Sequence, residues 1–313
     1  MDKKSLSGKR MSQYNRDIIK IKKMYESVFI IISLLSLLFS IVILMLLVFD
    51  LAKNGIPRIN FDFFINFPSR FPEKAGILSA WVGSLCVMFT TAIMAIPLGI
   101  ASAIYLEEYA PKNIITQWIE LNIINLAAIP SITFGLMALG IFVYKMNLGQ
   151  SILTAGLTLG MLVLPIIIVT TRESLKSIPK NLREAAYALG ASRWQMIWDH
   201  LLPYSSGGIV TGVIIALSRA IGETAPLITI GALTFIAFLP STPFSDQFPF
   251  VNFQWMSDPF TVMPIQMFNW VSRPQSEFHV NAAATGLILL LMTMFMNGFA
   301  IYIRYKFRKK YKW

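Results

Sequence analysis

Arg219 and Glu223 stand four residues apart in an apolar run, residues 207–239, that holds no other ionised side chain. Four residues is little more than one helical turn, so the two share a face and can pair. A charge at the centre of a bilayer costs at least about 2.5–3.5 kcal/mol on insertion scales, so that face must look into protein or a water-filled cavity. A guanidinium held there attracts an anion. The carboxylate would hold the arginine while no anion is present. It could also accept a hydrogen bond from a protonated oxyanion, which a sulfate dianion cannot donate. Thr224 adds a hydroxyl, and Pro226 has no amide to bond the carbonyl of Gly222, so a kink is expected beside the charges. With the helix entering at about Gly207, Arg219 is expected near the membrane midplane. The plainer alternative is a structural ion pair that locks helices together.

Other chemistry-bearing residues are sparse. His200 and His279 are isolated, so no metal site is expected. Cys86 is the single cysteine, which excludes an internal disulfide and reads as a small core residue. No phosphate-cradling Gly-Lys-Ser/Thr loop occurs, so the chain is not expected to hydrolyse ATP. Glu107 and Glu108 are adjacent carboxylates whose side chains point different ways on a helix, and they read as a solvated helix end.

The elements that must position these residues are membrane spans. Apolar residues make up 55% of the chain, charged residues 14%, and mean hydropathy is +0.61. Residues 29–49, 77–106, 121–144, 151–171 and 281–303 contain no Asp, Glu, Lys or Arg. Each reaches the length of about 20 residues that crosses a bilayer as a helix. With 207–239 they make six expected helical spans, and their continuous apolarity excludes alternating β-barrel strands. The span at 29–49 is a dense Leu/Ile/Phe run, expected to be peripheral and retained as an anchor. The later spans carry Gly83, Gly99, Gly135, Gly140, Gly156 and Gly160, whose small size would let five helices pack as a core.

Of the 27 basic residues, 20 fall in segments 1–28, 107–120, 171–204 and 304–313. By the positive-inside rule these segments and both termini are cytoplasmic, so the net charge of +11 records topology and lipid contact, not nucleic-acid binding. Residues 1–28 read as a basic tail, disordered to about Asp17, with an amphipathic stretch from Ile18 to Lys23 on the inner leaflet. Residues 240–280 read as an outer loop. Its Trp255 and Trp270 would sit at headgroup depth, or the loop would dock an external solute-binding protein.

The cytoplasmic loop 171–204 has a definite pattern. Ala185 and Ala186 beside Arg183 and Glu184 suit a short helix that lies close against another protein. Gly190 would cap it in the left-handed conformation. A second short helix would run from about Ser192 to Leu202 and stop at Pro203. The segment resembles the EAA loop of importer-type ABC permeases, whose pattern is Glu-Ala-Ala, three residues, Gly, nine residues, Ile-x-Leu-Pro. Glu184, Ala185, Ala186, Gly190, Leu202 and Pro203 match, and His200 stands at the Ile position.

Further segments narrow the resemblance. Arg219-Ala220-Ile221-Gly222-Glu223-Thr224-Ala225-Pro226-Leu227 is similar to the signature of PstA-type permeases of phosphate ABC importers. So are Ala103 to Pro111, Ile129 to Ile132, and Met263 to Ala284. The resemblance covers about residues 75–303. It implies an all-α integral membrane protein with the type I ABC importer permease fold, a peripheral first helix and a five-helix core, in the bacterial inner membrane. The implied function is inward translocation of inorganic phosphate. Arg219, Gly222, Glu223, Thr224 and Pro226 would lie on the substrate pathway, and the EAA residues would couple to an ATPase. The implied partners are a PstC-type permease, two copies of a PstB-type ATPase that carries the ATP and Mg, and a PstS-type phosphate-binding protein. No cofactor is expected in this chain. The competing readings are a molybdate or sulfate permease, which shares the EAA loop, a non-ABC ion-coupled transporter, and a membrane enzyme using Glu223 as a base.

Overall fold

An apolar environment offers no partner to a backbone N–H or C=O, so a long apolar run resolves its own hydrogen bonds as a helix. The computed structural model describes residues 3–243, 250 and 252–310, and there is no strand among the described residues. The chain divides into two units, Met1–Lys53 and Asn54–Trp313.

The described residues of the first unit lie within one helix, α1 (Lys3–Gly55). The expected disorder up to Asp17 is not found, and the stretch from Ile18 to Lys23 is part of the same helix. No proline interrupts residues 3–28, and once the apolar run has nucleated a helix, each further residue adds a hydrogen bond. Every side chain from Lys22 to Asp50 except Val48 is exposed, as suits a helix face meant for lipid.

The second unit begins with a short helix α2 (Phe61–Ile65) and continues into α3 (Leu78–Ile104), which a π turn prolongs to Tyr109. Residues 121–144 do not form one straight span. They divide between α4 (Ile114–Leu126) and α5 (Ser131–Ala138), the latter extended by a π turn to Lys145, and the two halves are bent by 106°. Pro130 stands at the bend, and it disfavours helical backbone in the residue before it. Then come α6 (Ile152–Lys176), α7 (Lys180–Ala188), the single turn α8 (Arg193–Gln195) and α9 (Leu202–Gly222). After α10 (Ala225–Thr229) the described residues form one 3-10 turn, Gln254–Ser257, before α11 (Met263–Val271), and α12 (Ser276–Lys310) closes the fold. Among the described residues, five helices are long and apolar enough to cross a membrane, or six if the bent pair counts as one span.

Small residues set the packing of α3, α6 and α9. A Cβ on Gly99 would come within 2.6 Å of Ile167, and one on Gly156 within 2.4 Å of Thr90. On α9, a Cβ at Gly208 would lie 2.1 Å from Ser174, and one at Gly212 1.9 Å from Thr170. The expectation fails at Gly140, which faces open space, and Gly160 makes only an ordinary contact at 3.8 Å. Gly140 belongs to the π turn after α5, away from these helix contacts.

The segment 240–280 also departs from its expected form, although residues 244–249 and 251 lie outside the described residues. Residues 260–266 are all buried, and Trp255 and Trp270 are 6% and 0% exposed, so these rings pack inside the protein and are not an exposed aromatic belt. Trp270 lies against Phe63 and Phe278, with ring centres 6.0 and 6.4 Å away. The buried backbone is satisfied by side chains. Ser84 Oγ accepts from the Met263 amide at 2.9 Å, and Ser79 Oγ donates to the Ile236 carbonyl at 3.0 Å. Gln266, with its amide turned to satisfy both groups, donates to the Thr234 carbonyl at 3.3 Å and accepts from Trp270 Nε1 at 3.1 Å.

These contacts predict the outcome of filling the glycine notches. Gly212→Leu forces atoms into Thr170 and is expected to cost about 1–3 kcal/mol or more, the range for overpacked cores. It should lower the thermal midpoint of the detergent-solubilised protein, whereas Gly140→Leu, in open space, should leave the midpoint nearly unchanged.

Candidate functional site

The charged pair sits where a helix ends, not in the middle of one. Arg219 occupies the last turn of α9, and Glu223 is the first residue to leave it, with extended backbone at φ −75° and ψ 127°. Arg219 Nε donates to Glu223 Oε1 at 3.3 Å. A cation in the last turn complements the partial negative charge of the helix C-terminus. The arginine side chain is 38% exposed and the carboxylate 18%, so both can be reached. The expected kink at Pro226 is replaced by this break. Pro226 stands in the first turn of α10, where a missing amide costs nothing because those amides have no intrahelical partner. Gly222 is exposed with open space over its Cα, and Thr224 is half-buried.

Two features around the break escape a reading of the sequence. The first is Gly135 of α5. A Cβ there would fall 1.8 Å from Thr229 Oγ1 and 2.6 Å from Pro226 Cα, so α5 lies directly on the backbone of α10. Gly135 stood out in the sequence only as one small residue among several. The second is a hydrogen bond between Ser218 of α9 and Asn297 of α12. Two polar side chains in apolar spans were the available signal, since such groups join helices in an apolar setting.

The loop after α6 has the expected helix and cap. Gly190 adopts φ +86°, and the Ala191 amide reaches back to the Ala186 carbonyl at 3.1 Å. Ser192 and Gln195 form a reciprocal capping box that starts the second helix. Pro203 does not stop that helix. The run is continuous from Arg193 to Gly222, because a π turn at Met196–Leu201 precedes Pro203 and accommodates it. The motif residues face in two directions. Ala186 is 6% exposed and packs among Leu175, Ile178, Met196, Ile197 and Leu201. Leu202 and Pro203 are half-buried. Glu184, Ala185, Ala188 and Gly190 are exposed, and Leu189 is 89% exposed.

Glu107 and Glu108 do not form a solvated helix end. Glu108, 8% exposed, receives Arg183 Nε and Nη2 at 3.1 and 2.9 Å. The same guanidinium donates to the carbonyls of Ile178 and Leu175 at 2.9 and 3.0 Å, closing the end of α6. Glu107 accepts from Arg172 Nε at 3.1 Å, and Arg172 Nη2 reaches Glu120 of α4. The two carboxylates do diverge, each to its own arginine. Those arginines are 65 and 75 residues away in the chain, so adjacency alone could not reveal them. No cluster of metal-ligating side chains occurs among the described residues.

Comparison with known proteins agrees with this architecture. Residues 95–309 match the family described as binding-protein-dependent transport system inner membrane component. The phosphate transport system permease protein PstA of Haemophilus influenzae is 31% identical over 279 residues, covering 89% of this chain and 93% of that protein. The PstA protein of Yersinia pestis is 33% identical over 287 residues, covering 90% and 89%. A probable ABC transporter permease protein of Bacillus subtilis strain 168, YqgI, is 31% identical over 244 residues, covering 76% and 82%. Among solved structures, a chain of the MetNI methionine ABC transporter in an inward facing conformation superposes with a TM-score of 0.56 at 17% identity, covering 72% of this chain and 93% of that one. That likeness concerns the fold alone, the type I importer permease fold. Spanning the bundle and both candidate regions, the family match places this multi-pass chain among the inner-membrane permease components of binding-protein-dependent ABC importers.

Proposed function

We propose that this chain is the membrane-spanning permease subunit of an ATP-driven importer of inorganic phosphate, and that phosphate passes Arg219 and Glu223. The observation that carries the reading is the accessible charge pair at the end of α9. A helix broken at membrane depth is where transporters hold ions and small anions, because the irregular backbone there is covered by protein. Arg219 supplies the positive charge for the anion. Glu223 neutralises it between cycles and accepts a hydrogen bond from a protonated phosphate oxygen. Sulfate and molybdate dianions bring no such proton, so the carboxylate discriminates against them by repulsion. Gly222 leaves room for close approach, Thr224 offers a hydroxyl, and Pro226 anchors the break on α5 through Gly135. Relatives that bear the name phosphate transport system permease protein PstA support the substrate.

In this reading both termini are cytoplasmic and α7 docks into a cleft on the ATPase, which carries the ATP and Mg. The complex would pair this chain with a PstC-type permease and two PstB-type ATPases, fed by a PstS-type binding protein. The exposed set Glu184, Ala185, Ala188 and Leu189 makes the docking surface, while Ala186 seats α7 on its own permease.

Two experiments follow. Labelled phosphate uptake should stop on ATP depletion and survive collapse of the ion gradient. Arg219→Gln should then reduce uptake about 10- to 100-fold, the range for losing a hydrogen bond to a charged group, with membrane abundance maintained. Glu223→Gln should impair uptake as well, leaving the arginine to hold phosphate too firmly. If the pair only locks helices, each single variant strands a charge and the double neutral variant recovers. Full transport by that double variant defeats the proposal.

The docking surface predicts a contrast between neighbours. Leu189→Asp removes a side chain whose burial contributes about 1.5–3 kcal/mol, and should uncouple hydrolysis from uptake without loss of protein. Ala186→Arg forces a charge into the seat of α7 and should instead lower the amount of folded permease. Uptake, ATP hydrolysis and membrane abundance measured together separate the two effects.

A further inference from the structure

The adjacent carboxylates Glu107 and Glu108 tie two different parts of the molecule to one place. Glu108 holds Arg183, the residue before Glu184 on α7. Glu107 holds Arg172 of α6, which also reaches Glu120 of α4. Both carboxylates sit on the π turn at Tyr105–Tyr109, an irregularity that recurs at functional positions.

The hold on α4 is the unusual part. Ile114, Ile115, Trp118, Ile119, Leu121 and Ile124 all face outward and are exposed. Among the described residues, Arg172 to Glu120 is the only side-chain hydrogen bond between α4 and another helix. Yet α4 is the first half of the bent pair, and its second half, α5, lies with Gly135 on the backbone of Pro226 and beside Thr229. The segment so gripped begins two residues after Glu223. Contacts of fixed geometry therefore run from α7 through Arg183 and Glu108 to the end of α3. From there they pass through Glu107, Arg172 and Glu120 to α4, which the bend before Pro130 joins in the chain to α5, and α5 lies on the segment after the charged pair. A partly buried ion pair often adds little stability over an apolar contact of the same shape, whereas removing one partner leaves a charge stranded.

We propose that Arg172 is a positioning residue for transport, the tether by which movement of α7 and the ends of α3 and α6 is passed to α4–α5 and so to the chain beside Arg219 and Glu223. It touches neither the anion nor the ATPase. The inference rests on the function proposed above, in which α7 receives the ATPase and the charged pair receives phosphate.

The test uses the complete transporter in proteoliposomes with its binding protein, reading ATP hydrolysis and phosphate uptake on the same sample. Arg172→Gln should lower phosphate moved per ATP by about 5-fold or more, the scale of an allosteric coupling, while hydrolysis continues. Glu120→Gln removes only the α4 end of the tether and should do the same, and Arg172→Lys should largely restore the ratio. A merely structural role would lower abundance, hydrolysis and uptake together and leave the ratio unmoved. An unchanged ratio in both glutamine variants overturns the proposal, and so does failure of both to assemble. The underlying reading fails separately, by an unmodified transporter without ATP-driven phosphate uptake or by Leu189→Asp that remains coupled.

Discussion

A backbone amide or carbonyl left unpaired in hydrocarbon costs several kcal/mol, and that single constraint decides where this fold can be irregular. The long helices answer it with their own hydrogen bonds. Two of the exceptions lie against other parts of the protein. The segment leading into α11 is covered by α3, with the Thr261 carbonyl so close to Gly83 that a Cβ there would lie 2.1 Å away. The break after Gly222 is backed by α5 through Gly135. Glycines and hydroxyl side chains do this work together: the first permit close approach, and the second supply the missing partners, as Ser79 and Ser84 do.

Charge obeys the same rule with two different results. Arg172 and Arg183 lie among carboxylates and carbonyls at helix ends and are only 15% and 17% exposed. Their charges are consumed by structure. Arg219 has one carboxylate at 3.3 Å and is 38% exposed, so part of its guanidinium stays accessible. Residue type does not separate these arginines. The number of acceptors around each guanidinium does.

The EAA-like loop is built from local rules. A left-handed glycine ends one helix and a capping box starts the next. The second helix then runs without interruption into α9, so the loop and Arg219 stand on one continuous rod. Pro203 would have broken a helix of regular pitch, and the wide turn before it keeps the rod whole.

Much of this was legible in the order of residues alone. The apolar runs, the basic segments, the Gly190 cap and the spacing of Arg219 and Glu223 are local facts of composition and period, and local physics suffices to read them. The bend at Pro130 and the break after Gly222 were less legible, because a long apolar run looks the same whether its helix continues or stops. Burial of Trp255 and Trp270 was hidden for a related reason: an aromatic side chain is equally at home in headgroups and in a core. The pairing of Glu107 with Arg172 and of Glu108 with Arg183, the seating of Ala186 and the approach of Gly135 to Pro226 were decided by tertiary structure alone. Each depends on which helices become neighbours, and that is a property of packing between residues distant in the chain.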